Sequence, residues 1–143
     1  DAADPIGINV FAGKDKATVV TDTGVISDSI LRRMDDTTLL VLEANYDPHM
    51  LRFGPYQPFL KQRVASDEGH LSNEMAAQAL LMMNRPDFMQ VILAHRSENN
   101  NNAVLVTQTI GKMLVDGGVR IGPEMKLQHG QPNEIVSMKS VKR

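Results

Sequence analysis

The sequence predicts an α/β layer, on the strength of three features. Apolar runs at Ala17 to Val20, Thr38 to Leu42 and Phe88 to Ala94 have the length and β-branched character of strands. Between them lie stretches with helical spacing, clearest in Met75, Ala79, Leu80 and Met83, which share one face at three- and four-residue intervals. Each apolar run also ends in ionisable residues, with Asp22 after the first, Glu43 after the second and His95 after the third. Strand-end loops are where such layers present ligands and catalytic groups.

In chain order, Ile6 to Phe11 predicts a strand, Gly13 to Lys16 a turn and Ala17 to Val20 a second strand, together a hairpin. Ser27 or Asp28 can cap a short helix running to Met34. After the strand over 38–42, Pro48 opens a helical turn through His49, Met50 and Leu51. Gly54-Pro55-Tyr56-Gln57-Pro58 is a stiff insert, and Phe59 to Val64 a helical or irregular piece leading to Gly69-His70. Ser72 is placed to cap the next helix, which contains no Gly, Pro or β-branched residue from Met75 to Met83 and stops at Asn84-Arg85-Pro86. After the strand over 88–94 and a polar loop, an Asn cap starts a helix carrying Val104, Leu105, Thr109, Ile110, Met113 and Leu114, ended by Gly117-Gly118. Val119 to Ile121, Lys126 to Gln128 and Ile135 to Met138 have the pattern of short strands.

Composition narrows the function. The 143 residues, 42% of them hydrophobic, suffice for a core, and one domain over 1–143 is expected, with no internal repeat or linker to divide it. Fifteen basic residues against seventeen acidic ones leave a formal charge of -2, so phosphate recognition must be local and not the work of a broad basic face. With no cysteine, a disulfide scaffold, a thiolate metal site and cysteine catalysis are excluded, and a reducing, cytoplasmic setting is expected. No stretch approaches a membrane span.

Each candidate residue has a structural reading beside the functional one. Asp22, ahead of Gly24, could simply start a turn by bonding its own backbone. A lone His95 after an apolar strand is commonly a structural hydrogen-bonder, and His70 could be a loop residue beside a well-capped helix. Asp22, Glu43, His70 and His95 at one edge of a layer favour a site over four coincidences. Carboxylate and imidazole without thiolate suit zinc, manganese or iron.

Val19-Val20-Thr21-Asp22-Thr23-Gly24, Leu42-Glu43-Ala44-Asn45, Gly69-His70-Leu71-Ser72-Asn73 and Ile92-Leu93-Ala94-His95-Arg96-Ser97 occur in this order, and over them the chain resembles the second half of a metallo-β-lactamase-fold hydrolase. The resemblance is to the YycJ/VicX (WalJ-like) group, and more distantly to the ribonuclease Z type of tRNA 3′-processing endonuclease. It implies the C-terminal half of an αββα sandwich, a parent enzyme holding two divalent metal ions, zinc or manganese, and a nucleic acid substrate. By that resemblance Asp22 bridges the two metals and His95 ligates one of them. Glu43 and His70 form the pair that assists phosphodiester cleavage, a metal-activated hydroxide attacking phosphorus while His70 protonates the leaving oxygen. Asn45, Asn73 and Ser97 are neutral donors to phosphate oxygens.

The family's H-x-H-x-D-H loop is absent, and a further ligand histidine is expected directly before Asp1-Ala2-Ala3. By the resemblance His is expected where Tyr46 stands, and His49 and His129 fall outside the motifs as surface residues. Two other functions fit the same residues, a fold relative cleaving a small ester, thioester or lactam and a non-catalytic regulatory half-domain. Strands apolar on both sides require cover on both faces. The chain is therefore expected to pair with the missing N-terminal half or with a second copy of itself.

Overall fold

The computed structural model describes residues 6–131 and 134–137. β1 (Ile8–Ala12) and β2 (Asp15–Val20) form the expected antiparallel hairpin. Its turn is confined to Gly13 and Lys14, with Gly13 at a φ of 61° that suits glycine. β3 (Leu39–Glu43), β4 (Met89–Ala94) and β5 (Met125–His129) follow β2 as parallel neighbours, giving a five-stranded sheet in chain order.

Five helices connect the strands: α1 (Asp28–Met34), α2 (Pro48–Phe53), α3 (Pro58–Val64), α4 (Asn73–Met82) and α5 (Ala103–Asp116). Parallel strands need crossovers, crossovers are right-handed, and every step here moves the same way across the sheet, so the connecting helices belong on one face. The core bears this out. Met34, Ala77, Leu80, Val106, Ile110 and Leu114 from α1, α4 and α5 pack against Val20, Leu40, Leu42, Val91 and Leu93. Capping is local and as expected, with Ser27 accepting from Ile30 N, Ser72 from Met75 N and Asn102 from Leu105 N.

The alternate residues make the opposite face. Strand register aligns Val10, Ala17 and Leu39 in one row and Ile8, Val19, Val41 and Ile92 in the next. Ile8 and Val10 are 53% and 58% exposed, and the others are half-buried, so among the described residues this apolar face lacks the cover that helices give its counterpart.

Some expectations fail. Val119 to Ile121 is not a strand; Ile121 makes only an isolated bridge to Met125. Ile135 to Ser137 forms no element, and Met138, like Asp1-Ala2-Ala3, lies outside the described residues. On α5, Val104 is 63% exposed and Val106 takes the buried position, because the helix turns its Val106, Ile110, Leu114 stripe to the sheet. Among the described residues, no helix is long and apolar enough to cross a membrane.

Candidate active site

Parallel β2, β3 and β4 bring their C-terminal ends to one edge, and each end carries an expected residue there. Glu43 is the last residue of β3, His95 directly follows β4, and Asp22 follows β2 by two positions. Asp22 and His95 both have positive φ, 59° and 53°, a conformation costly for residues with a Cβ and found where the surroundings enforce it. It turns each side chain off its strand axis at the sheet edge.

His70 arrives from the other direction, on the loop between α3 and α4. Gly69 makes that loop possible, since a Cβ there would lie 2.2 Å from the Arg63 carbonyl oxygen and 2.3 Å from that of Val64. Gly24 has the same function in the opposing loop. A Cβ on it would lie 1.9 Å from Ser66 O, and its own N–H donates to Asp67 O at 3.2 Å. Glycine on both sides thus lets the Asp22 loop and the His70 loop seal against each other.

Glu43 is the hub. It is fully buried, and one carboxylate oxygen, Oε1, receives Nδ1 of His70 at 2.7 Å and Nδ1 of His95 at 2.8 Å. The other oxygen, Oε2, accepts from the Thr23 backbone N–H at 3.2 Å. A buried carboxylate acting as acceptor for both imidazoles selects the tautomer with hydrogen on Nδ1, which leaves Nε2 as the basic nitrogen of each ring. Nε2 of His95 lies 3.6 Å from Oδ1 of Asp22.

The electrostatics follow from this contact. Burial pushes the Glu43 carboxyl up, but hydrogen bonds from His70 and His95, with the charges of both rings, outweigh it and hold the group below the usual carboxylate range. His95 is raised by its hydrogen bond to Glu43 against the opposing effect of burial, with the charges of Glu43 and Asp22 adding to the rise.

Asp22, His70 and His95 each offer a ligand atom, all within 4.8 Å of one another. One carboxylate oxygen and two imidazole nitrogens steadied by a carboxylate behind them fit a divalent metal of the zinc, manganese or iron type. His70, expected as a proton donor, therefore also stands among the residues able to ligate.

A cavity of about 400 Å³ opens over these groups, bordered by Asn45, Arg96 and Ser97 on the loops after β3 and β4 and by Tyr56, Leu60 and Val64 from the α2–α3 segment. Asn45 borders it, yet its amide donates to the His95 carbonyl at 2.7 Å, so the residue also braces the positive-φ turn. Ser97 Oγ accepts from Asn100 N at 3.2 Å. Asn73, expected as a substrate donor, is instead fully buried. It exchanges amide hydrogen bonds with Asn101 at 3.1 and 2.8 Å, and Asn101 also donates to Ala44 O at 3.0 Å. The pair ties the segment after Glu43 to the starts of α4 and α5. Sequence reasoning missed Asn101, one of four consecutive asparagines with nothing local to distinguish it, and missed Thr23, whose contribution is only a backbone N–H.

Tyr46 is buried beside Leu51 and Val64 and bridges to Ser72; burial, then the charges of Glu74 and Glu43, pushes its phenol up. His49 is exposed as expected, its ring 4.6 Å from that of Phe53. His129 is not a plain surface residue. Half-buried, it has Nε2 2.8 Å from Thr107 Oγ1, and burial, with the charge of Arg96 adding, holds its ring below the usual range.

No family model matches the chain. It is 32% identical over 132 residues to exodeoxyribonuclease YycJ of Bacillus anthracis, covering 92% of this chain and 50% of that protein. To exodeoxyribonuclease WalJ of Streptococcus pneumoniae serotype 2 (strain D39) it is 35% identical over 124 residues, 86% of this chain and 46% of the relative. The chain thus spans about half the length of the curated relatives it matches. Among solved structures, the metallo-β-lactamase fold protein YhfI from Bacillus subtilis superimposes with a TM-score of 0.56 at 14% identity, over 85% of this chain and 40% of that one. The α/β fold is therefore that of a metallo-β-lactamase-fold protein in part, and the YycJ/WalJ exodeoxyribonucleases are its sequence relatives.

Proposed function

We propose that this chain is the C-terminal half of a metal-dependent nuclease of the metallo-β-lactamase fold, acting in the cytoplasm on DNA phosphodiesters. The observation that carries the reading is Glu43 Oε1 shared between His70 and His95, with Asp22 beside His95 at the mouth of the cavity. A buried carboxylate behind two imidazoles suits a site that must both hold cations and move a proton. The exodeoxyribonuclease names of the relatives support the substrate class.

In this reading Asp22 and His95 would hold divalent metal, zinc or manganese, together with ligands supplied by the N-terminal half of the complete protein. Such metal supplies charge neutralisation at phosphate and an activated water. His70, oriented by Glu43, protonates the leaving oxygen, and Glu43 stabilises the charged ring while it carries the proton. Asn45 and Ser97 donate to phosphate oxygens from the cavity rim. The bare sheet face supports the half-domain reading, since the second sheet of an αββα sandwich packs on such a face.

The test is release of nucleotides from end-labelled DNA by the complete protein carrying both halves. Metal-dependent release, lost on chelation and reduced by Glu43→Gln, is the expected result. Cleavage of a thioester or lactam with no release from DNA overturns the proposal.

A further inference from the structure

We infer that Tyr56, Leu60 and Val64 form a nucleobase subsite in the same cavity as Asp22, His70 and His95, against which the terminal base of a DNA strand stacks. The inference rests on the phosphodiesterase reading and adds where the rest of the nucleotide goes.

The cavity lining combines the ionisable cluster with Tyr56, Leu60 and Val64 of the α2–α3 segment, an apolar contribution beside the chemistry a phosphate needs. A nucleotide, with an anionic end and a flat apolar end, matches both parts of that lining. The volume of about 400 Å³ is at the scale of small-ligand sites.

The apolar part is also built to stay in place. Tyr56 and Leu60 are half-buried and rest on a small cluster of Tyr46, Leu51 and Val64, separate from the main core. Pro55 precedes Tyr56, and Pro58 starts α3 two residues later, so the loop carrying the ring has two fixed φ angles. Little entropy remains to be lost when a ligand stacks on it. Aromatic stacking tolerates every base, because each has a π-face, so such a subsite would take any terminal nucleotide. With a formal charge of -2 the chain brings no net positive charge to DNA, so local stacking has more to contribute.

The experiment measures binding of dAMP and of 2-deoxyribose 5-phosphate to the manganese-loaded complete protein by calorimetry, for wild type, Tyr56→Ala and Tyr56→Phe. The base should strengthen wild-type binding about 10-fold or more over the sugar phosphate. Tyr56→Ala should remove most of that difference while binding the sugar phosphate unchanged, which also reports that it is folded, and Tyr56→Phe should keep it. Equal affinity for the two probes in wild type, failure of dAMP to bind at millimolar concentration, or indifference to Tyr56→Ala overturns the inference. DNA hydrolysis that persists with an indifferent Tyr56→Ala leaves the nuclease reading standing and removes only the subsite. Base-dependent binding without DNA hydrolysis does the reverse.

Discussion

The rings of His70 and His95 meet edge to face, centroids 5.1 Å apart and planes at 65°, because Nδ1 of each is held by the same oxygen of Glu43. Two imidazoles on one buried acceptor are coupled: displacing either ring alters the hydrogen bond that orients the other.

In the complete protein, Asp22→Ala should remove metal and activity together. His70→Ala should leave metal bound and slow turnover by about 10²-fold or more if the ring is the proton donor. Metal analysis beside steady-state kinetics separates the two. Equal metal loss in both variants makes His70 a ligand, as its place among the metal-capable residues allows.

In the metal-free chain, His95 should titrate above the ordinary histidine value, since its hydrogen bond to Glu43 and the nearby carboxylate charges favour the protonated ring. Replacing the carboxylate by an amide withdraws that support, so Glu43→Gln should lower the His95 midpoint. Imidazole NMR against pH reads both. A midpoint unmoved by Glu43→Gln refutes the assigned cause.

Without further ligands, the isolated chain should show no appreciable hydrolysis of bis-p-nitrophenyl phosphate, because the three donor groups clustered among the described residues do not make a dinuclear centre. Vigorous, EDTA-sensitive turnover by the purified 143-residue chain contradicts the half-domain reading.

The sheet face bearing Ile8, Val10, Val19, Val41 and Ile92 should drive association at micromolar concentration. Light scattering is expected to show a dimer or larger species, and Val41→Thr with Ile92→Thr to shift it toward monomer, since neither residue belongs to the helix-covered core. A cooperatively melting wild-type monomer rules out the need for a second sheet.

Gly24→Ala should destabilise the fold by roughly 2 kcal/mol or more, as a backbone clash with no flexible side chain to yield. The added Cβ would fall 1.9 Å from Ser66 O. Urea unfolding checks it, and a midpoint within error of wild type means the two loops part at little cost.

Much of the fold was legible because its signals are local. Apolar runs mark β3 and β4, Ser27 and Ser72 cap the helices that follow them, and Gly117 stops α5. The errors fell where local signals are weakest. Val119 to Ile121 has β-branched character, but it lies in the connection from α5 to β5, where backbone hydrogen bonds form turns. Of the apolar residues named on α5, Ile110 and Leu114 are buried and Val104 is 63% exposed, while the equally apolar Val106 is buried, because only packing on the sheet decides between them.

By itself the sequence determined that Asp22, Glu43 and His95 stand at strand ends and that His70 stands before a capped helix, since a strand or a helix start is encoded within a few neighbouring residues. What only the tertiary structure decided is their convergence. Glu43 meets His70 across 27 residues and His95 across 52, contacts made where the parallel strand ends and the loop between α3 and α4 come together at one edge. The same packing turned Asn73 inward to Asn101 and brought Tyr56 into the lining of the cavity that holds the ionisable groups. No local pattern carries those outcomes, because each depends on which distant surface a side chain meets when the helices settle on the sheet.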